Sequence, residues 1–207
     1  MKLDITFEAM TLHDYFEKFR GTGVRAMSWR DYWLLKWADV IDLYLNMGFF
    51  LIPLPKHSKV PFGKFNWTTG NYGRDALLTH VKEGGNLAVV AGLCSPKLVL
   101  VDCDSPLVLD DYPATMTMRS ARGVQFFTKE PFDEVLGERL KKKFPDIDSF
   151  RTQIMYSLVP LSVTCFGDSG NGCSEKGHAH DWRVRDWLYR GKLMSFRAFA
   201  KAMLAHG

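Results

Sequence analysis

The stretch KLVLVDCD, Lys97 to Asp104, places the firmest constraint on this chain. Four apolar residues, Leu98 to Val101, run into two aspartates separated by a cysteine. The apolar run reads as a buried strand. Side chains alternate along a strand, so Asp102 and Asp104 share one face and Cys103 takes the other. Two carboxylates that close repel each other, and a divalent cation between them removes the repulsion. Mg²⁺ takes hard oxygen ligands and keeps positions for water and phosphate oxygens. The pair is therefore a candidate clamp for a nucleoside triphosphate. Aspartates at a strand end also serve as turn formers and helix caps, and that reading stands beside the first.

The rest of the chain must bury such a strand. Its 207 residues, 46% of them hydrophobic and 14% aromatic, suffice for one domain with a substantial core. The net charge of +4 tolerates a nucleic-acid partner without requiring one. The longest charge run, Gly137 to Phe144, reads as a solvated helix face, with a phosphate contact as the alternative. No run of about 18 apolar residues predicts a membrane span. Residues Met1 to Lys18 carry acids early and do not read as a signal peptide. The expected setting is a reducing cytoplasm with no membrane partner, where the four cysteines are thiols or metal ligands before they are disulfides.

Periodicity predicts a short helix over Met10 to Arg20 and a longer one from Ser28 to Gly48. Ser28 and Asp31 form a capping-box signature, Leu34, Ala38, Ile41 and Leu45 a buried stripe, and Gly48 a C-terminal cap. Strands are expected at Phe49 to Pro55, Leu87 to Gly92, Lys97 to Asp102, Gly123 to Lys129 and Thr152 to Leu161. Helices are expected at Arg74 to Asn86, Phe132 to Phe144 and Ser195 to Ala205. The result is an α+β domain with a mainly antiparallel or mixed sheet flanked by helices.

A second stretch bears on the clamp. RSARGVQFF, Arg119 to Phe127, sets Ser120, Arg122 and Gly123 just before a strand. A hydroxyl, a guanidinium fork and a glycine permitting close backbone approach suit phosphate oxygens. An ordinary hairpin turn with an exposed arginine has the same composition.

The order of these motifs resembles one family, the prim-pol catalytic domain of bifunctional DNA primase-polymerases in the archaeo-eukaryotic primase superfamily, as found in archaeal plasmid and viral replication proteins. YLNMGFFLIPL and KVPFGKFNW are similar to its opening segment at Gly48, Pro53, Lys59, Pro61 and Trp67. NLAVVAG, LVLVDCD and TMRSARGVQFF follow in the family's order, and DIDSFRTQIMYSLVPLSVT resembles its last segment. The resemblance covers roughly residues 38 to 165.

It implies that Asp102, Asp104 and Asp148 are catalytic and bind Mg²⁺ or Mn²⁺, with Asp146 competing for the third place. Ser120 and Arg122 would contact the triphosphate, and Lys59 a nucleotide or template phosphate. Gln125 stands where the family pattern has a phosphate-holding histidine. Glutamine keeps a neutral donor of similar reach but carries no charge. Three outcomes stay open: a weaker version of the role, a nucleotide held differently, or loss of activity. The implied chemistry is template-directed nucleotidyl transfer from NTP or dNTP, with two cations about 3.5–4 Å apart. The implied partners are a single-stranded DNA template and a replicative helicase. Phe65, Trp67 and Tyr72 are candidate stacking surfaces for bases, or core residues.

The segment CFGDSGNGCSEKGHAH holds Cys165, Cys173, His178 and His180. Their spacing departs from the short Cys pair of common zinc sites, yet a glycine-rich loop has little else to fold around. Zinc-binding insertions in archaeal relatives favour a structural Zn²⁺. Reduced thiols and a Cys165–Cys173 disulfide remain alternatives. Residues 183–207 carry Arg183, Arg185, Arg190, Lys192 and Arg197, expected as a basic helical region packed on the core with partial involvement in nucleic-acid binding. The expected organisation is an N-terminal extension at 1–27, a catalytic core at 28–164, a Cys/His loop at 165–182 and that basic region. Two other functions compete with polymerisation. One is a non-catalytic replication-initiation or single-strand-binding module on the same fold. The other is a nucleotide-sugar transferase, which leaves the Lys59 and Ser120 segments unexplained.

Overall fold

A computed structural model describes residues 29–56, 58–61, 72–104, 113, 115–119, 123–166, 181–184, 186–189 and 192–205. The chain opens with α1 (Trp29–Asn46), β1 (Leu51–Leu54), α2 (Arg74–Lys82) and β2 (Asn86–Val90). Then come β3 (Leu98–Cys103), β4 (Thr117–Arg119), β5 (Val124–Lys129), α3 (Glu134–Lys143), β6 (Ile147–Arg151) and β7 (Tyr156–Leu158). It closes with β8 (Val163–Phe166), β9 (Asp181–Val184), β10 (Asp186–Tyr189), β11 (Met194–Ser195) and α4 (Phe196–Ala205). The class is α+β, as the pattern predicts.

The main sheet has the order β10-β4-β5-β3-β6, with β11 also pairing β5. Only the β11–β5 pair is parallel among the described strands. A smaller antiparallel sheet runs β1-β2-β7. Alternation along β3 divides the core. Val99, Val101 and Cys103 pack with Leu136 and Leu140 of α3 and with Phe196, Phe199 and Met203 of α4. Leu98 and Leu100 face the opposite way, towards Trp37, Ile41 and Tyr44 of α1 and Leu87 and Val89 of the small sheet. β3 is thus covered on both faces, which is why its sequence is apolar from Leu98 to Val101.

α1 ends at Gly48, whose φ of 74° puts it in the left-handed region. Gly48 N–H donates to the Leu45 carbonyl at 3.0 Å and Phe49 N–H to that of Tyr44 at 2.9 Å, the paired bonds of a glycine-terminated helix. The buried stripe of α1 is Trp37, Val40, Ile41 and Tyr44 rather than Leu34, Ala38, Ile41 and Leu45. The two rings rotate the helix, because they bring far more apolar area inside than Ala38 does.

Two further differences from the sequence pattern matter. Of the expected strand over Thr152 to Leu161 only the short β7 forms; residues 152–155 are a turn, and the unexpected β6 precedes it. The region 183–207 is helical only from Phe196. Before that, β9 and β10 take up aromatic and β-branched residues, which suit a pleated surface better than a helix. The expected helix over Met10 to Arg20 and the extension at 1–27 lie outside the described residues. Among the described residues, no helix is long and apolar enough to cross a membrane.

Candidate active site at the acidic strand end

β3 carries Asp102 on the face of Leu100, towards the small sheet. Asp102 pairs in register with Gln125 on β5 and with Ser149 on β6. It is buried, whereas Asp104, one residue past the strand, is exposed. Asp104 N–H donates to the Asp146 carbonyl at 2.9 Å, which holds the β3 exit against the start of β6. Cys103 faces Ile147, so Asp148 is the additional residue of a bulge. The bulge brings the backbone of Asp148 beside the Asp102–Ser149 pair. Asp148 itself is exposed, and its carbonyl accepts from Lys141 Nζ at 3.0 Å.

The carboxylate of Asp102 is not bare. Arg151, at the end of edge strand β6, donates through Nη2 to Asp102 Oδ2. Its Nη1 donates to the Tyr156 carbonyl at 3.0 Å, which ties the main sheet to β7. The Tyr156 hydroxyl in turn donates to the carbonyl of Lys59 at 3.0 Å. Burial raises the Tyr156 hydroxyl above its usual range, with Arg151 partly offsetting it. A chain of contacts therefore runs from Asp102 through Arg151 and Tyr156 to the backbone of the exposed Lys59.

Gln125 is fully buried on the face shared with Asp102. Ser157 Oγ on β7 donates to Gln125 Oε1 at 2.5 Å, fixing the amide orientation. Gln125 Nε2 is buried and has no hydrogen-bond partner among the described residues. An orphan donor of this type costs about 1–3 kcal/mol unless something arrives to accept from it. A test follows from the asymmetry. Ser157→Val strips the one partner from the amide and is expected to cost about 1–3 kcal/mol in urea unfolding. Adding Gln125→Leu removes the stranded group, and the double variant is expected near wild-type stability. A double variant no better than Ser157→Val would show that the amide is not stranded.

The donor chemistry of this strand end fits a divalent cation. Asp102 offers hard oxygens on the face it shares with Gln125, whose Nε2 offers a place for an acceptor such as a phosphate oxygen. Among the described residues, no three of His, Cys, Asp and Glu lie close enough to share one ion. Asp102, Asp146 and Asp104 all surround Cys103 electrostatically, yet burial is the main reason its thiol is pushed up to about 12. Cys103 is thus a core thiol with its side chain turned away from the acids.

Ser120, Arg122, Cys173, His178, His180, Phe65, Trp67, Arg185 and Arg190 lie outside the described residues. Cys165 sits on β8, opposite Trp182 of β9 in backbone register, so the Cys/His segment is flanked by a paired strand couple. Arg183 belongs to β9. Tyr72 packs against two of the core clusters, which assigns it to the core alternative. Lys192 and Arg197 are exposed, and Arg197 Nε lies 4.0 Å from Asp133. Arg151 and Ser157 are the site residues that sequence reasoning missed. For Ser157 a signal existed, a hydroxyl inside an otherwise apolar strand. For Arg151 there was none, since its partner lies 49 residues away.

The fold and this site define an α+β domain that brings a buried aspartate, an arginine and a glutamine amide together where two sheets meet. Residues 42–186 match the family model of the prim-pol domain, the N-terminal part of bifunctional DNA primase/polymerases. That is well over half of the chain, and the protein belongs to this family. A comparison with curated proteins gives no match. Family membership implies DNA and nucleotides as substrates.

Proposed function

We propose that this domain carries out template-directed nucleotidyl transfer from NTP or dNTP on single-stranded DNA, in the replication of a plasmid or viral genome. The observation that supports the reading is the meeting of Asp102, Gln125 and Arg151 on one face of the main sheet, inside the matched region. In the reaction a 3′-hydroxyl oxygen bonds to the α-phosphorus, the bond to the β-phosphate oxygen breaks, and the hydroxyl proton and pyrophosphate leave. Bound divalent cations supply charge neutralisation and increase the acidity of the attacking hydroxyl.

The chain's own residues position the reactants. Asp102 and Asp104 are the cation-holding carboxylates, with Asp148 or Asp146 as the third. Ser120, Arg122 and Lys59 hold phosphates. The amide of Gln125, oriented by Ser157, supplies a neutral donor where the family pattern has histidine. The Cys165, Cys173, His178 and His180 segment is proposed to bind a structural Zn²⁺, and a replicative helicase is the proposed protein partner.

A second reading has its own observation. Asp102 already has a counter-ion in Arg151, and no three-acid group forms among the described residues. A DNA-binding module that has kept the fold without the chemistry would look the same. The separating experiment incubates the chain with a single-stranded template, labelled nucleotides and Mg²⁺ or Mn²⁺. Extension that needs both template and cation is expected. Salt-sensitive template binding with no product under either cation would support the second reading.

A further inference from the structure

We infer that Arg151 is an exchangeable counter-ion: it holds Asp102 in the cation-free protein and passes to the triphosphate of the incoming nucleotide when the site is loaded. The inference rests on the reading that Asp102 holds a cation, and it concerns how that cation and the nucleotide depend on one another.

Three observations carry it. First, the pair is partly open. The Arg151 side chain is 29% exposed and that of Asp102 12%, so solvent reaches both members of the pair. A cation approaching Asp102 from solvent meets Arg151, and like charges compete for one carboxylate. Second, Arg151 is held loosely enough to turn. It sits at the last residue of an edge strand, before the turn at 152–155, and its second contact is to the neutral Tyr156 carbonyl. Third, its fork has another acceptor close by in the loaded state. A planar guanidinium matches carboxylate and phosphate equally well in geometry, and a triphosphate brings more charge. The neighbouring Gln125 is neutral and brings no charge of its own to meet a phosphate.

The consequence is coupling. With Arg151 on Asp102, a cation alone binds against competition. With a nucleotide present, the guanidinium has an alternative partner and the carboxylate is released. Cation and nucleotide therefore bind as a pair, and by reciprocity each strengthens the other.

The test is Mn²⁺ binding to the full chain, read from the free-ion electron paramagnetic resonance signal with and without a dNTP. In wild type the dNTP is expected to tighten Mn²⁺ binding by about tenfold or more. In Arg151→Gln, Mn²⁺ alone is expected to bind several-fold tighter than to wild type, on the order of the pair's worth, and the dNTP enhancement to shrink. The same or weaker Mn²⁺ binding in Arg151→Gln, with wild type still enhanced by dNTP, overturns the inference and leaves the cation reading intact. No Mn²⁺ binding to wild type under either condition overturns both. Wild type also supplies a readout that needs no variant. The Arg151 Nε–H resonance is expected to move on adding Mg²⁺ with dNTP, and an unmoved resonance with both ligands bound overturns the exchange.

Discussion

Asp102→Asn is expected to lower template-directed incorporation by roughly three orders of magnitude or more, the scale seen when a member of a catalytic unit is removed. The substitution keeps the shape of the side chain and one oxygen but removes the charge. An amide neither holds a divalent cation well nor balances a guanidinium. Arg151 would then keep its Tyr156 contact and lose the charged one. Stranding a half-buried charge in this way is expected to cost about 1–3 kcal/mol of folding stability. The two effects must be read together, with the initial rate of incorporation measured at a temperature where urea titration shows the variant fully folded. Asp104→Asn supplies the comparison. Asp104 is exposed and its backbone N–H bonds the Asp146 carbonyl, so the activity loss is expected without the stability loss. Full incorporation by folded Asp102→Asn would remove this residue from the cation site.

What made Asp102 legible was local. An apolar run and the period-2 alternation of a strand suffice to put Asp102 on the face opposite Cys103, and the core residues of β3 and β5 divide between the two faces by the same rule. Gly48 was legible for the same reason, because a helix end needing a positive φ has few residues to choose from. The stripe of α1 was harder. Leu34, Ala38, Ile41 and Leu45 obey the helical period, and so do Trp37, Ile41 and Tyr44. What selects between them is the volume that the sheet beneath can accept, and no helix-level pattern contains that information. β6 escaped for a complementary reason. As an edge strand with a bulge, IDSFR shows neither an apolar run nor clean alternation. The contacts that complete the site were out of reach altogether. Arg151 meets Asp102 across 49 residues, and Ser157 meets Gln125 across 32. The first joins neighbouring strands of the main sheet that are far apart in sequence, and the second joins the main sheet to the small one.

That dependence on assembly gives the second large effect. Phe127→Ala is expected to lower the free energy of unfolding by about 3–5 kcal/mol. Phe127 is fully buried on β5, opposite Leu100 of β3, and lies two residues beyond Gln125 on the same face. Its ring lies parallel to that of Phe49 at 6.4 Å and meets Tyr44 edge-on at 6.3 Å, so it joins α1 and the start of β1 to the main sheet. No neighbour can collapse into the gap without moving α1, since Tyr44 and Trp37 are already fully packed. Against a total stability of about 5–15 kcal/mol, that loss leaves a marginal protein. Phe127→Leu keeps most of the volume and is expected to cost under about 1.5 kcal/mol. Urea unfolding gives both values, with an unchanged slope showing that only stability has moved. Phe126 serves as the control from the opposite face, where its ring lies 5.1 Å from Phe199 of α4. Phe126→Ala is expected to cost a similar amount, because β5 is clamped from both sides. A loss under about 1 kcal/mol for Phe127→Ala alone would mean that α1 does not back this face. Asp102 and Gln125 would then stand on an open sheet surface, and the polar network between the two sheets would lose the packing that holds it in register.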